Sequence, residues 1–557
     1  MVDMEKIESE LIAAGAGFEV VEEEVFGERV GVFKQRAPSL RQLLVDSVGH
    51  GDNEFLVSED VRISFSDHAK RVASTAAVLR ERYGVQKGDR VAILAANCPE
   101  WIVSFWATIG LGAVCAALNG WWVRDEILYG IEDSDPKVLI GDRKRLARLK
   151  EGDVSVPVIE IEGDFDGLWL ADADAELPDG SIAEDDPATI LYTSGTTGRP
   201  KGAVGTHRSI LGVVQVQMFH GFRMFLASAA DDDGSTPSVS GATCTLNTAP
   251  LFHLSGLYAG AITALAGGAK TVWPQGRFDP ERIMGLIERE KVTNWGPMGT
   301  MLHRVLEHPE REKFDLSSIR NIGSGGAPMS AELQERAREV FPQSRKTFGL
   351  GYGLTECSLA TLNFGAELEA TPDSVGRPLP TTQIEIRDPE GNPLPEGEEG
   401  EIYLRSPQVM KEYWRKPEAT AETICAGRWL RTGDFGRFEN GRLYIASRKR
   451  DLILRGGENI YPIEIEQCLE LHADVAEAAV VGKDHVELGQ EVMAIVVPNE
   501  GASPSSDELR DWVAERLAYY KVPAHWDFRS EALPRNATGK VMKNLLVEGG
   551  ESPFVAE

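Results

Sequence analysis

Between Ile190 and Ser209 the chain reads ILYTSGTTGRPKGAVGTHRS, and Thr193 to Gly202 are drawn from Thr, Ser, Gly, Pro, Arg and Lys alone. Backbone N–H groups of such a loop can converge on an anion while hydroxyls and Lys201 complete the cage. Taken alone, such a loop is more often a linker than a phosphate site. Its spacing is not that of a Walker phosphate loop, because Lys201 follows Pro200 and precedes Gly202 rather than Ser or Thr. In GYGLTE, Gly351–Glu356, an aromatic between two glycines offers a flat face that a base can approach closely. Thr355 and Glu356, a hydroxyl followed by a carboxylate, suit a phosphate oxygen and a Mg²⁺ ion. Asp434, in LRTGDFGRF, can accept two hydrogen bonds from a ribose diol, although an Asp after Thr-Gly in isolation reads as a turn residue.

The elements that must hold these residues follow from periodicity. From about residue 60 to 360, apolar strand-like runs (RVAILAA, VLIGD, ATILYT, KTVWP) alternate with amphipathic helical ones such as DPERIMGLIEREKV. That alternation predicts a layered α/β body with largely parallel sheets. From about 375 to 447 short β-runs and turn signals, PEGN and ENG, predict a small β-rich subdomain. After Ser447 a helix (YPIEIEQCLELH), two strands (VAEAAVVG, QEVMAIVVP) and a capped helix (SSDELRDWVAERLA) make a compact α+β unit. The charged run SRKRD, Ser447–Asp451, joins the two, so the expected domains are 1–449 and 450–557. Asp231–Gly241, DDDGSTPSVSG, is low-complexity and reads as a mobile surface loop.

At 557 residues the chain is too long for one ordinary domain. A net charge of −29 argues against nucleic acid or anionic lipid as a general partner. Six cysteines with no CxxC pair or metal-ligand spacing read as reduced thiols, and the acidic N-terminus has no signal-peptide pattern, so the expected location is cytoplasmic. Trp101–Trp122 is uncharged and long enough to cross a membrane. Pro99 and Glu100 mark a helix start, Gly110 and Gly112 its end, and AVCAAL a buried strand, so helix-turn-strand is the preferred reading and no stable membrane insertion is expected.

YTSGTTGRPKG resembles, position by position, the phosphate loop of the adenylate-forming superfamily: acyl- and aryl-CoA synthetases, firefly-type luciferases and peptide-synthetase adenylation domains. GYGLTE, LRTGDFGRF, SRKRDLILRGGENIYPIEIE and LPRNATGKVMK match further motifs in the family's order. The resemblance implies that Thr193, Ser194, Gly195, Thr196, Thr197, Gly198 and Lys201 cradle the β- and γ-phosphates of ATP. It implies that Tyr352, flanked by Gly351 and Gly353, stacks on adenine, that Thr355 contacts the α-phosphate and that Glu356 holds Mg²⁺. Asp434 then takes the ribose hydroxyls and Arg448 the ribose or phosphate. Gly325, Ala327 and Pro328, in IGSGGAP, join the nucleotide side. Arg450 falls on the hinge, where the family usually has Asp or Lys; with Ser447 it is a departure that bears on the ease of domain rotation. Gly456 and Gly457 match the turn along which the pantetheine arm of CoA passes, where only a residue without Cβ leaves room. Lys540 sits in the catalytic-lysine motif, where a cation must bridge an attacking carboxylate and an anionic phosphate.

Within the superfamily, PLFHLSG carries His253 where amino-acid-activating relatives carry Asp, and only seventeen residues follow Lys540, too few for a carrier domain. The implied reaction is therefore an AMP-forming acyl-CoA synthetase using a small carboxylic acid, ATP, Mg²⁺ and CoA. A homodimer is left open, and Lys521 is a guess for the CoA adenine site. Trp295, Gly296 and Met298 in NWGPM, Gly323, Ser324 and Gly325 in IGSGGAP, and His253 are the expected walls of the acyl pocket, although these side chains could equally be core packing. None of these stretches carries a charged side chain for the acid's tail, which favours a medium-to-long or bulky apolar acid. The alternatives are an acyl-AMP ligase or luciferase-like enzyme, or a catalytically silent acyl- or nucleotide-binding regulator.

Overall fold

Short apolar runs become buried strands, as their alternation with helices predicts. In the computed structural model, which describes residues 4–547 apart from 179, 194–199, 231–242, 327–328, 449–450, 452, 456–457, 486–488, 518 and 536–540, the chain is a mixed α/β protein with a large N-terminal part and a smaller C-terminal one. A six-stranded sheet runs in the order Lys201–Thr206, Pro187–Thr193, Val114–Ala117, Arg90–Leu94, Val138–Gly141, Val158–Glu160. Its pairs are parallel except the first, where Lys201–Thr206 folds back antiparallel on Pro187–Thr193.

A second sheet has at its middle the parallel neighbours Gly349–Tyr352, Asn321–Gly325, Asn294–Trp295, Cys244–Leu246, Lys270–Val272 and Glu54–Ser58. Past Gly349–Tyr352 it continues through antiparallel strands to Gln383–Arg387, so the β-rich stretch extends this sheet. Ser374–Pro378 makes the join by pairing with both Thr361–Phe364 and Arg442–Arg448. A bulge between Ser374 and Gly376 allows it, with Gly376 at φ +93°, where a Cβ would strike the Leu362 carbonyl.

Trp101–Trp122 is the expected helix-turn-strand. Helix Pro99–Gly110 is buried at every position but Glu100, Gly112 turns the chain at φ +67°, and Val114–Ala117 enters the six-stranded sheet. A different helix, His207–Ala230, contains a 21-residue stretch, His207–Ala227, long and apolar enough to cross a membrane, with half of its apolar window buried in the protein. On it rest the helix Met4–Ile12 and the hairpin Val20–Val25/Glu28–Phe33, through Leu11, Phe33 and Phe219.

Near the C-terminus, Val475–His485 and Gly489–Pro498 form an antiparallel pair that also recruits Ile453–Arg455 and His525–Phe528. Helices Pro462–Glu470 and Ser506–Ala514 cover it, sharing a core of Ile465, Leu469, Val480, Ala494, Leu509 and Val513. Ser505 caps the second helix by accepting from the Glu508 N–H at 3.2 Å. The expected boundary at 449/450 lies outside the described residues, as does Asp231–Gly241.

Candidate active site

In an open α/β sheet, ligands bind beyond the carboxyl ends of parallel strands. Cys244–Leu246, Asn294–Trp295, Asn321–Gly325 and Gly349–Tyr352 are four such strands side by side. The loops leaving them lead to His253, Gly296–Met298, Gly326 and Thr355–Glu356, so stretches far apart in sequence meet at one edge. Glycines keep that edge thin. A Cβ at Gly325 would come within 2.8 Å of the Gly351 carbonyl oxygen, whereas one at Gly323 would meet nothing within 4 Å. Ser324 Oγ ties two of the loops together by donating to the Pro297 carbonyl at 2.8 Å.

Tyr352 and Asp434 are both buried, and the phenol donates to Asp434 Oδ2 at 2.8 Å. Gly433, at φ +73°, turns the chain just ahead of Asp434, and Thr432 Oγ1 accepts from the Asp434 N–H at 3.0 Å. Opposite Asp434 in the strand pair lies the backbone of Arg448.

Thr355 and Glu356 sit in a half-buried turn that closes on itself, with the Ser358 carbonyl where a Cβ of Gly353 would be. Tyr413, which sequence reasoning missed, donates its hydroxyl to Glu356 Oε1 at 2.6 Å. Burial, then the neighbouring Glu356 charge, hold this phenol far above the usual tyrosine range, so it is a donor at any physiological pH. The Lys201 ammonium lies 5.0 Å from the centre of the same ring, within cation–π range.

The segment carrying Tyr413 lies along strand Lys201–Thr206. Lys411 N–H donates to Val204 O at 2.8 Å, Val204 N–H to Glu412 O at 2.9 Å and Trp414 N–H to Gly202 O at 2.7 Å. The Met410 N–H donates to the Glu356 carbonyl at 2.8 Å. One strap thus touches both strand Lys201–Thr206 and the turn bearing Glu356. Across the hairpin Thr193 pairs with Lys201, which brackets the intervening loop, and Tyr129 OH holds the Pro200 carbonyl at 2.9 Å.

His253 is half-buried, and desolvation by the surrounding protein pushes its pKa down to about 4. The neutral ring bonds Ser255 Oγ through Nδ1 at 2.8 Å. From Ser255 to Ile262 the chain forms a π-helix, a rare turn that concentrates at functional sites. Met298, half-buried, precedes helix Gly299–Leu306. Trp295 is instead fully enclosed in the core formed with Leu302, Ile322 and Phe341, edge-on to Phe341, and takes the core-packing alternative.

Ser194, Gly195, Thr196, Thr197, Gly198, Ala327, Pro328, Arg450, Gly456, Gly457 and Lys540 lie outside the described residues, as does the side chain of Arg448. The stretch containing Lys540 is flanked by a bridge between Arg535 and Val541, and Arg535 pairs with Glu477 at 2.9 Å. Lys521 pairs with Glu464 at 2.5 Å.

A family model described as AMP-binding enzyme matches residues 45–414, and one described as AMP-binding enzyme C-terminal domain matches 464–540. The chain is 35% identical over 488 residues to a feruloyl-CoA synthase of Amycolatopsis sp, covering 86% of this chain and 92% of the relative. It is 32% identical over 550 residues to a long-chain-fatty-acid–CoA ligase of Bacillus subtilis, covering 92% and 94%. Among solved structures it is similar to ATP-bound MatB from Rhodopseudomonas palustris, with a TM-score of 0.79 and 30% identity over 92% of this chain and 99% of that one.

Proposed function

This chain belongs to the AMP-binding enzyme family, in the acyl-CoA synthetase branch of the adenylate-forming superfamily, and from that premise we propose how its residues divide the reaction and which acids it takes. It is an AMP-forming acid–thiol ligase. In the first half-reaction a carboxylate oxygen bonds to the α-phosphorus of ATP and the bond to the bridging oxygen breaks, releasing pyrophosphate. In the second, the CoA sulfur bonds to the acyl carbon, the thiol proton is lost and AMP departs.

Tyr352 offers adenine its ring, Asp434 takes the ribose hydroxyls, and Thr355 contacts the α-phosphate. Thr193, Lys201 and the loop between them receive the β- and γ-phosphates. Lys540 bridges the carboxylate and the α-phosphate, offsetting their repulsion. Rotation about Arg450 then withdraws it and brings Gly456 and Gly457 to the pantetheine arm, with Arg448 on the nucleotide. The observation that carries this reading is the convergence of the Tyr352–Asp434 pair and the Glu356–Tyr413–Lys201 group, joined by the Gly349–Tyr352 strand and its following turn.

The site fits Mg²⁺ in the manner of nucleotide enzymes. Among the described residues no group of three or more His, Cys, Asp or Glu side chains could hold a metal ion, and Glu356 is a carboxylate already oriented by a phenol. A single carboxylate plus substrate phosphates is the usual Mg²⁺ arrangement, and the ion neutralises phosphate charge when bound.

The acid enters beside His253, Gly296, Met298, Gly323, Ser324 and Gly325. No charged side chain stands among these, and relatives named for feruloyl and long-chain fatty acyl substrates agree with a medium-to-long or bulky apolar acid. The acidic surface and unpaired cysteines support a cytoplasmic enzyme. The test is formation of AMP and acyl-CoA from ATP, Mg²⁺, CoA and a panel of fatty, aromatic and steroid side-chain acids, with Lys540→Ala as control. A CoA-dependent signal confined to apolar acids is expected. Adenylate without thioester would move the chain to the acyl-AMP ligases, and wild-type adenylation by Lys540→Ala would remove the role given to that lysine.

A further inference from the structure

We propose that Tyr413 is a positioning residue that sets the metal-binding carboxylate and the phosphate-loop cation in register through the two chemically different parts of one side chain. The inference rests on the reading of Glu356 as the Mg²⁺ carboxylate. The hydroxyl of Tyr413 donates to Glu356 Oε1 at 2.6 Å, and its ring face stands 5.0 Å from the Lys201 ammonium. Tyr413 is only 6% exposed, while Glu356 and Lys201 are half-buried, so both contacts are partly shielded from bulk water.

The backbone leaves Tyr413 little freedom. Its strap is hydrogen-bonded to Gly202 and Val204 on one side and to the Glu356 carbonyl on the other. Farther back, the Arg428 guanidinium donates to the Met410 carbonyl at 2.8 Å and lies 4.6 Å from the Phe26 ring, at the tip of the N-terminal hairpin. A carboxylate swinging freely could meet the metal in many geometries. One held at Oε1 by a buried phenol can meet it in fewer. Outer hydrogen bonds of this kind carry about 10- to 100-fold of metal affinity or activity.

The hydroxyl and the ring can be separated by substitution. Tyr413→Phe keeps the face under Lys201 and removes the donor to Glu356. In this variant the Mg²⁺ concentration for half-maximal adenylation should rise about tenfold with KM for the acid unchanged. Calorimetric titration without any acid, so that nothing turns over, should show about tenfold weaker binding of ATP in the presence of Mg²⁺. ATP binding without Mg²⁺ should match wild type, which also reports that the variant is folded. Glu356→Gln is measured in parallel. If it shifts the Mg²⁺ dependence while Tyr413→Phe shows wild-type or tighter Mg²⁺ behaviour, the role of Tyr413 is refuted and that of Glu356 stands. If neither variant moves the Mg²⁺ dependence, the metal reading of Glu356 falls and takes this inference with it.

Discussion

Replacing Tyr352 by Phe probes the nucleotide assignment with the least disturbance of packing. The substitution deletes one oxygen, keeps the aromatic face and removes the 2.8 Å donor to Asp434. Tyr352 is 7% and Asp434 4% exposed, so water replaces the lost donor poorly. Buried hydrogen bonds to charged groups are worth about 1.5–3 kcal/mol. Some of that falls on stability, because the bond exists without nucleotide. The share felt by ATP, through a loosened Asp434, is roughly 1–2 kcal/mol, or about 5- to 30-fold in kcat/KM for ATP. The assay is steady-state adenylation at saturating acid with varied ATP, then with varied acid at saturating ATP. KM for the acid should not change. Combining Tyr352→Phe with Asp434→Asn gives a stricter test, since a hydroxyl acting through Asp434 should add little once that carboxylate is gone. Full additivity would show that the two act independently, and a selective rise in KM for the acid would place Tyr352 on the wrong substrate.

Gly353→Ala puts a Cβ onto the Ser358 carbonyl and must open the turn bearing Thr355 and Glu356, so a loss of about 1–3 kcal/mol in stability and a larger loss of adenylation are expected; wild-type values of both would show that the turn yields freely. His207 accepts from the Leu40 N–H through Nδ1 at 3.2 Å, and burial lowers its pKa from 6.5 to about 4. The unfolded chain therefore binds the extra proton first, and stability that is complete above pH 6.5 declines by on the order of 3 kcal/mol as pH falls toward 4. Urea midpoints measured between pH 7 and 4.5 should fall less steeply in His207→Gln, and an unchanged slope would remove His207 as a contributor. Burial raises the thiol of Cys244 to about 11, that of Cys357 to about 12 and that of Cys115 further still. Alkylation of the native protein at pH 8 followed by mass spectrometry should therefore label the half-exposed Cys425 and leave those three unmodified.

Element types were legible wherever local chemistry and burial agreed. Helix Pro280–Glu290 begins where Asp279 accepts from the Arg282 N–H at 2.8 Å, a cap visible in the letters DPER. The uncharged stretch around Trp106 resolved into helix, turn and strand because Gly112 supplies a left-handed residue at the break. The π-helix after His253 was not legible. It depends on two glycines packed against distant atoms: a Cβ at Gly256 would strike the Pro250 carbonyl, and one at Gly260 would come 2.8 Å from Asn247 Oδ1. Trp295 illustrates the same limit, since GPM after it looks like a loop at a pocket while its own ring turns into the core.

Motifs supply side-chain types, but the contacts between motifs run across sheets. Tyr352 and Asp434 are 82 positions apart and Glu356 and Tyr413 are 57 apart, so no local pattern signals either pair. Glu356 was recognisable from its neighbours, whereas Tyr413 stands in MKEYWRKP, outside every motif stretch singled out in the sequence. One physical signal did point to it. The hairpin return Lys201–Thr206 is the last strand of its sheet, and an edge strand presents open backbone donors and acceptors that a neighbouring segment can close. Some later segment had to cover that edge, and a strand-favouring Tyr-Trp pair after an apolar Val409–Met410 is a reasonable cover. Reading sheet edges for what must close them finds the residue that reading motifs for what they bind passes over, because here the closing segment also reaches Glu356.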